Sequence, residues 1–394
     1  MKSIRKRVLF FAEAVTLAHL ARCIDIARKL VDSGKYIVAF ACDSRFNNII
    51  GDRRFIEFPL SSISCQQFEK KLNKGSPVYD TATLVAYVND DLAIIDQFKP
   101  DFIFGDFRLS LAISSRLTKT TYATITNAYW SPYVDSAYPV PEIPLTKIFG
   151  VSFAQKAFNL VRPIVFWLHS LPFNRACKKF GLAPLAYDMR EVYTHADYTL
   201  YADIEDLFSM RELPKNHLFI GPVLWSAPVA LPDWWETIPN ERPIIFVTLG
   251  SSGNASLVPM ILETLAALPV TVVCATAQRA QFTQRYSNVY IADFLPADLA
   301  VKRADVVICN GGSPMVYQSL VENKPVIGIP SNLDQYLMMS ALLNAGRGYM
   351  IRSGLVKPAL IEQAVERALA TTPVPLAEKP VLALDKIMEL IDSV

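Results

Sequence analysis

Apolar residues along the chain follow two alternating spacings. Short runs rich in β-branched and aromatic residues (Val8–Phe11, Tyr36–Cys42, Phe102–Phe104, 121–126 and 197–201) predict buried strands, the third ending at Gly105-Asp106. After the first, Leu17, Leu20, Ile24, Ala27 and Val31 recur at three- and four-residue steps, the stripe of an amphipathic helix. Thr16 is a candidate N-cap for it and Gly34 a candidate stop. Residues 8–42 thus form a β-α-β unit, which implies a parallel sheet with right-handed crossovers. Helices over about 80–97 and 109–117 continue the alternation. Residues 127–150 interrupt it with four prolines and several aromatics, too irregular for helix or strand. Long ordered loops of this kind tend to be functional. Residues 151–190 read as mostly helical and apolar.

Phe219 to Pro232, with several prolines and small residues, reads as a linker. The alternation restarts with strands at 243–248, 270–274 and 289–291 and a helix at about 256–267. Val306–Cys309 predicts another buried strand, broken by Asn310-Gly311-Gly312. Ser313 can then act as N-cap with Pro314 at the first helical position, and the helix should run to about Lys324. A strand over 325–330 and a turn ending at Asp334-Gln335 lead into a further helix. The expected architecture is α/β, two doubly wound Rossmann-like domains with ligands at the strand C-termini in a cleft. The division is 1–215, a linker at 216–235, a second domain over 236–375, and a helix at 376–394 that can pack back on the first.

The 394 residues suffice for two ordinary domains, and a hydrophobic content of 52% indicates large cores. Lys+Arg 39 against Asp+Glu 37 leaves no electrostatic footprint for nucleic acid. The six cysteines lie scattered, mostly in apolar runs, with no metal-ligand spacing, which reads as buried thiols in a cytoplasmic protein. Lys2, Arg5, Lys6 and Arg7 before Val8–Phe11 resemble a signal peptide, but Glu13, His19 and Arg22 interrupt the apolar region early, favouring a first strand. The apolar segments 151–172 and 255–275 are broken by Lys156, Arg162, Glu263 and Pro269, so neither offers the roughly 20 uncharged residues of a membrane helix.

Three places can carry chemistry. His19 falls in the first turn of the first helix, where the dipole favours a neutral imidazole able to accept a proton. Asp106 ends another strand of the same expected sheet and can orient that imidazole; a packing histidine and a helix cap are the structural alternatives. Gly311-Gly312 stands at a helix N-terminus, a natural phosphate site or a plain β-α turn, and Gly250-Ser251-Ser252-Gly253 can add donors to the same anion. Asp334 and Gln335 can bond ligand hydroxyls, or cap a helix; Phe294 can face a base, or pack. Trp130, Tyr133 and Tyr138 can line an apolar pocket with polar tips, or hold down the long loop.

Together these positions resemble family 1 glycosyltransferases of the GT-B architecture, of the bacterial type that glycosylates natural products and small lipophilic acceptors. The segment 305–348 is similar to the donor-binding signature, and the order His19, Asp106, Gly221-Pro222, Gly250-Ser251 extends the match over most of the chain. The resemblance implies inverting, metal-independent hexosyl transfer from a UDP or TDP sugar, with no cofactor besides that co-substrate. His19 would be the base and Asp106 its partner. Ser251, Ser252, Gly311, Gly312 and Ser313 would hold the diphosphate, Asp334 and Gln335 the sugar hydroxyls, Phe294 the base. Asn127, Trp130, Tyr133 and Tyr138 fall where the family builds its acceptor pocket. Asn310 replaces the family's phosphate-contacting histidine, Gln318 its ribose-binding glutamate, and Arg22 a proline. Partners would be the donor and the acceptor, on a monomer or homodimer. An inert GT-B activator and a sugar-nucleotide epimerase are the other readings of the same fold.

Overall fold

The computed structural model describes residues 5–46, 54–280, 286–376 and 380–394. They fall into two compact units: Met1–Ser136 with Asn159–Val223 and Val381–Val394, and Ala137–Phe158 with Leu224–Pro380.

In the first unit, strands β1 (Arg7–Ala12), β2 (Ile37–Cys42), β3 (Ile56–Pro59), β4 (Phe102–Asp106), β5 (Thr121–Thr126), β6 (Tyr198–Tyr201) and β7 (His217–Phe219) form a parallel sheet. Its order is β3-β2-β1-β4-β5-β6-β7. The run of apolar residues in β1 is buried on both faces, as a central parallel strand requires, with Phe10 stacked on Phe104 at 4.8 Å. Helix α1 (Leu17–Asp32) buries Leu20, Cys23, Ile24, Ala27 and Leu30, but Thr16 makes no side-chain cap bond. After β3 comes α2 (Cys65–Lys74), started by a capping box between Ser64 and Gln67. α3 (Thr81–Phe98) and α4 (Leu111–Thr118) follow.

The irregular loop is shorter than expected, because α5 (Pro144–Lys179) begins inside it, before a break at Gly150. Proline is tolerated in a first helical turn, where its missing N–H costs nothing. The loop is also divided, since Asn127 to Ser136 lie in the first unit and Ala137 onward in the second. α6 (Met189–Thr194) precedes β6.

The second unit has the parallel order β10-β9-β8-β11-β12-β13, from β8 (Ile244–Thr248), β9 (Thr271–Ala275), β10 (Val289–Ala292), β11 (Val306–Cys309), β12 (Val326–Gly328) and β13 (Gly348–Met350). Helices α7 (Val258–Ala266), α8 (Ala297–Arg303), α9 (Ser313–Val321) and α10 (Leu333–Asn344) lie between them, and α11 (Pro358–Ala370) follows β13. Gly312, not Ser313, is the N-cap of α9; Ser313 is its first helical residue, and the helix stops short of Lys324. The C-terminal α12 (Leu384–Asp392) buries Ile387 and Ile391 in the core that holds α1. Lys6 Nζ fastens it through the carbonyls of Ile391 (2.9 Å) and Asp392 (3.0 Å). No helix among the described residues is long and apolar enough to cross a membrane.

Candidate active site

The order β1-β4-β5-β6 puts four strand C-termini side by side, and one polar chain runs from α1, which follows β1, across the ends of β4, β5 and β6. His19 enters from the first turn of α1, and its Nδ1 lies 2.7 Å from Asp106 Oδ1 at the end of β4. A carboxylate only accepts, so this contact assigns the proton to Nδ1, which Arg22 Nη2 also approaches at 3.2 Å, and leaves the lone pair on Nε2. Arg22, one turn on in α1, grips both oxygens of the fully buried Asp106, Nε to Oδ2 at 2.6 Å and Nη2 to Oδ1 at 2.8 Å. Its Nη1 donates to Asn127 Oδ1 (2.7 Å) just past β5, and Asn127 Nδ2 donates to Asp203 Oδ1 (2.8 Å) just past β6. Burial works against the Arg22 charge, yet Asp106 more than offsets it and raises the guanidinium pKa.

A second buried network braces the same strand ends. Arg108 bridges Glu13 (3.0 Å), which follows β1, and Asp91 (3.0 Å) of α3, with its guanidinium 3.6 Å from the Tyr87 ring centroid. Burial raises the carboxyl pKa of both Glu13 and Asp91, against the pull of Arg108. Between Asp106 and Arg108, Phe107 is held at φ 58°, a left-handed conformation that costs a side chain about 1–3 kcal/mol. That turn lays its ring parallel to His19 at 4.7 Å. Phe68, Tyr79 and Tyr193 surround Phe107 at 5.9, 6.0 and 5.4 Å, and Trp130 meets Tyr193 edge-on at 5.4 Å.

The structure therefore brings His19, Asp106, Asn127 and, through Tyr193, Trp130 together. Tyr133 instead packs edge-on against His217 at 5.2 Å, and Tyr138 lies in the second unit, where Gln155 donates to its carbonyl at 2.9 Å. In the sequence Arg22 stands out as a break in the apolar N-terminal region and as a departure from the resembled family, while Asp203, Phe107 and Tyr193 do not stand out. The signal available was Arg22 at three residues from His19, the same helix face.

In the second unit, Asn310, Gly311 and Gly312 turn the chain from β11 into α9. Gly311 has φ 76°, and a Cβ there would lie 2.4 Å from Met339, so only glycine fits. Asn310 Nδ2 donates to Ser252 Oγ (3.3 Å), and the Gly312 N–H donates to Asn310 Oδ1 (3.3 Å). Buried Gln335 reaches the same hydroxyl with Nε2 (3.2 Å), while its Oε1 accepts from the Ser331 N–H (2.9 Å). Arg279 Nη1 holds the Gly250–Gly253 loop by the carbonyls of Ser251 (2.6 Å) and Gly253 (3.0 Å), an anchor with no sequence signal. The structure thus joins Ser252, Asn310, Gly312 and Gln335. Ser313 and Gln318 are buried in α9, Asp334 stands in the first turn of α10, and Phe294 is exposed. Among the described residues no group of three or more His, Cys, Asp or Glu side chains can hold a metal ion.

Two parallel α/β units of this design are the GT-B architecture. The solved structure of the glycotransferase of kitacinnamycin shares the fold with TM-score 0.68 and 18% identity, over 98% of this chain and 94% of that one. Residues 244–392 match the Glycosyltransferase family 28 C-terminal domain. The chain belongs to the family of PGL/p-HBAD biosynthesis glycosyltransferases. It is 43% identical over 366 residues to the protein of that name from Mycobacterium tuberculosis, covering 93% of this chain and 85% of the relative. It is 41% identical to a PGL/p-HBAD biosynthesis rhamnosyltransferase of Mycobacterium bovis, covering 93% and 81%.

Proposed function

We propose that the protein transfers a hexose, in the manner of a rhamnosyltransferase, from a nucleotide diphosphate to a hydroxyl of a lipophilic acceptor, with inversion at the anomeric carbon. The observation that carries this reading is the 2.7 Å contact of His19 Nδ1 with Asp106, which leaves Nε2 as a base. The acceptor hydroxyl gives its proton to Nε2 as its oxygen attacks the anomeric carbon. The bond from that carbon to the diphosphate breaks and the nucleotide diphosphate leaves with the electron pair. Phe107, Tyr193 and Trp130 suit an apolar acceptor, while Asn127 acts on the dyad through Arg22. The turn at Asn310–Ser313 with Ser251 and Ser252 would hold the diphosphate, and Asp334 and Gln335 the sugar. Incubation with UDP- and TDP-hexoses and an alkylphenol should yield a glycoside of inverted configuration by NMR, with one nucleotide diphosphate per product. A product of retained configuration overturns the inverting mechanism. An altered sugar formed without acceptor overturns transfer.

The donor turn makes its own prediction. Asn310 donates but carries no charge, where the resembled family has histidine. Asn310→His should tighten binding of a nucleotide diphosphate by about 1 kcal/mol, roughly fivefold, in calorimetry below pH 6.5. Unchanged affinity would remove Asn310 from the phosphate site.

A further inference from the structure

One face of α5 is apolar and open to solvent. Leu160 and Ile164 are 79% and 60% exposed, and Val161, Trp167 and Leu168 join them. Their spacing repeats every three to four residues, so they form one outward stripe. Phe166, Ser170, Phe173, Ala176 and Cys177 of the same helix are buried, so the core side is already filled. The stripe runs on into exposed Arg175, Lys178 and Lys179. From Ile143 to Tyr187 the sequence has Lys147, Lys156, Arg162, Arg175, Lys178 and Lys179 but no Asp or Glu.

We propose that this face of α5 is a docking surface for an anionic lipid bilayer, with the helix lying in the headgroup region. A solvated helix would carry polar residues on this side, and contiguous apolar patches mark interaction sites. The helix dipole accounts for cations in the last turn, but not for the loss of every acidic residue over the whole stretch. Apolar residues beside uncompensated cations complement a layer of anionic headgroups over acyl chains. A second copy of this chain would bring like charges together. The surface also has a use, which rests on the lipophilic-acceptor reading. His169, Pro172 and Phe173 of α5 line a narrow crevice with Tyr79, Leu109 and Tyr193. Tyr79 and Tyr193 touch Phe107, the ring over His19. A lipophilic acceptor held at the bilayer would thus be presented to the side of the first unit that carries His19.

Co-sedimentation of the full chain with phosphatidylglycerol and with phosphatidylcholine vesicles, without nucleotide sugar, tests the surface. Binding should favour phosphatidylglycerol and weaken with salt. Lys178→Glu with Lys179→Glu should lower the partition roughly thirtyfold, and Ile164→Asp with Trp167→Asp should abolish it. All four positions are exposed, and unchanged thermal unfolding with retained transfer to a short water-soluble acceptor confirms intact variants. Absence of vesicle binding overturns the proposal, as does binding that survives both double variants. Self-association abolished by Trp167→Asp, with no vesicle binding, overturns it in favour of a second copy. If transfer fails with every acceptor while vesicle binding persists, the function reading falls and the surface stands.

Discussion

His19→Ala is expected to lose roughly 10²–10⁴-fold in kcat, the usual contribution of a positioned general base, while calorimetric binding of a nucleotide diphosphate stays unchanged. The separation follows from placement. His19 belongs to α1 in the first unit, and the candidate diphosphate turn belongs to β11 and α9 in the second. The size follows from how fully the imidazole is oriented. Asp106 accepts a hydrogen bond from its Nδ1 at 2.7 Å, and Phe107 covers its ring at 4.7 Å from a strained backbone position. Alanine removes the imidazole and leaves Asp106 both of its Arg22 contacts. Steady-state kinetics over a range of pH checks the outcome. Turnover at the wild-type rate removes His19 as the base.

Much of this was legible in the sequence, and what was not has physical causes. β1 and β2 announce themselves as continuous apolar runs and α1 as a stripe at three- and four-residue steps, and Gly311 stands out because only glycine fits its place. α2 was missed because CQQFEKKLNK offers too few apolar positions to show a period; a capping box starts it, and those are two polar residues, Ser64 and Gln67. The helical start at Pro144 hid among turn-forming prolines. The places of His19 in the first turn of α1 and of Asp106 at the end of β4 follow from the pattern. The Arg22 contacts do not, because they join residues separated by 84 and 105 positions and depend on β4 and β5 lying next to β1 in that order. Phe107 carries no pattern at all: its role comes from a backbone angle.

Arg22→Leu is expected to destabilise the protein by about 3–5 kcal/mol, the usual consequence of removing one partner from a buried ion pair. Asp106 is fully buried, and Arg22 supplies two of its charged contacts. The loss also leaves Asn127 Oδ1 without its donor from Arg22, so the polar chain to Asp203 is cut. Arg22→Lys should recover only part of this, since an ammonium cannot hold two carboxylate oxygens in a fork and reach Asn127 as well. Activity should fall with it, because a carboxylate free to rotate no longer holds His19 Nδ1. Denaturant unfolding and kcat measured on the same variants separate the two effects. A double-mutant cycle with Asp106→Asn isolates the pair: once the carboxylate charge is gone, Arg22→Leu should cost less than it does alone, by about 1–3 kcal/mol. Simple additivity would show that Arg22 stabilises the fold through other contacts and does not position the dyad. Coupling in stability together with a kcat that Arg22→Lys partly restores would place Arg22 as the residue that holds Asp106 in register with His19.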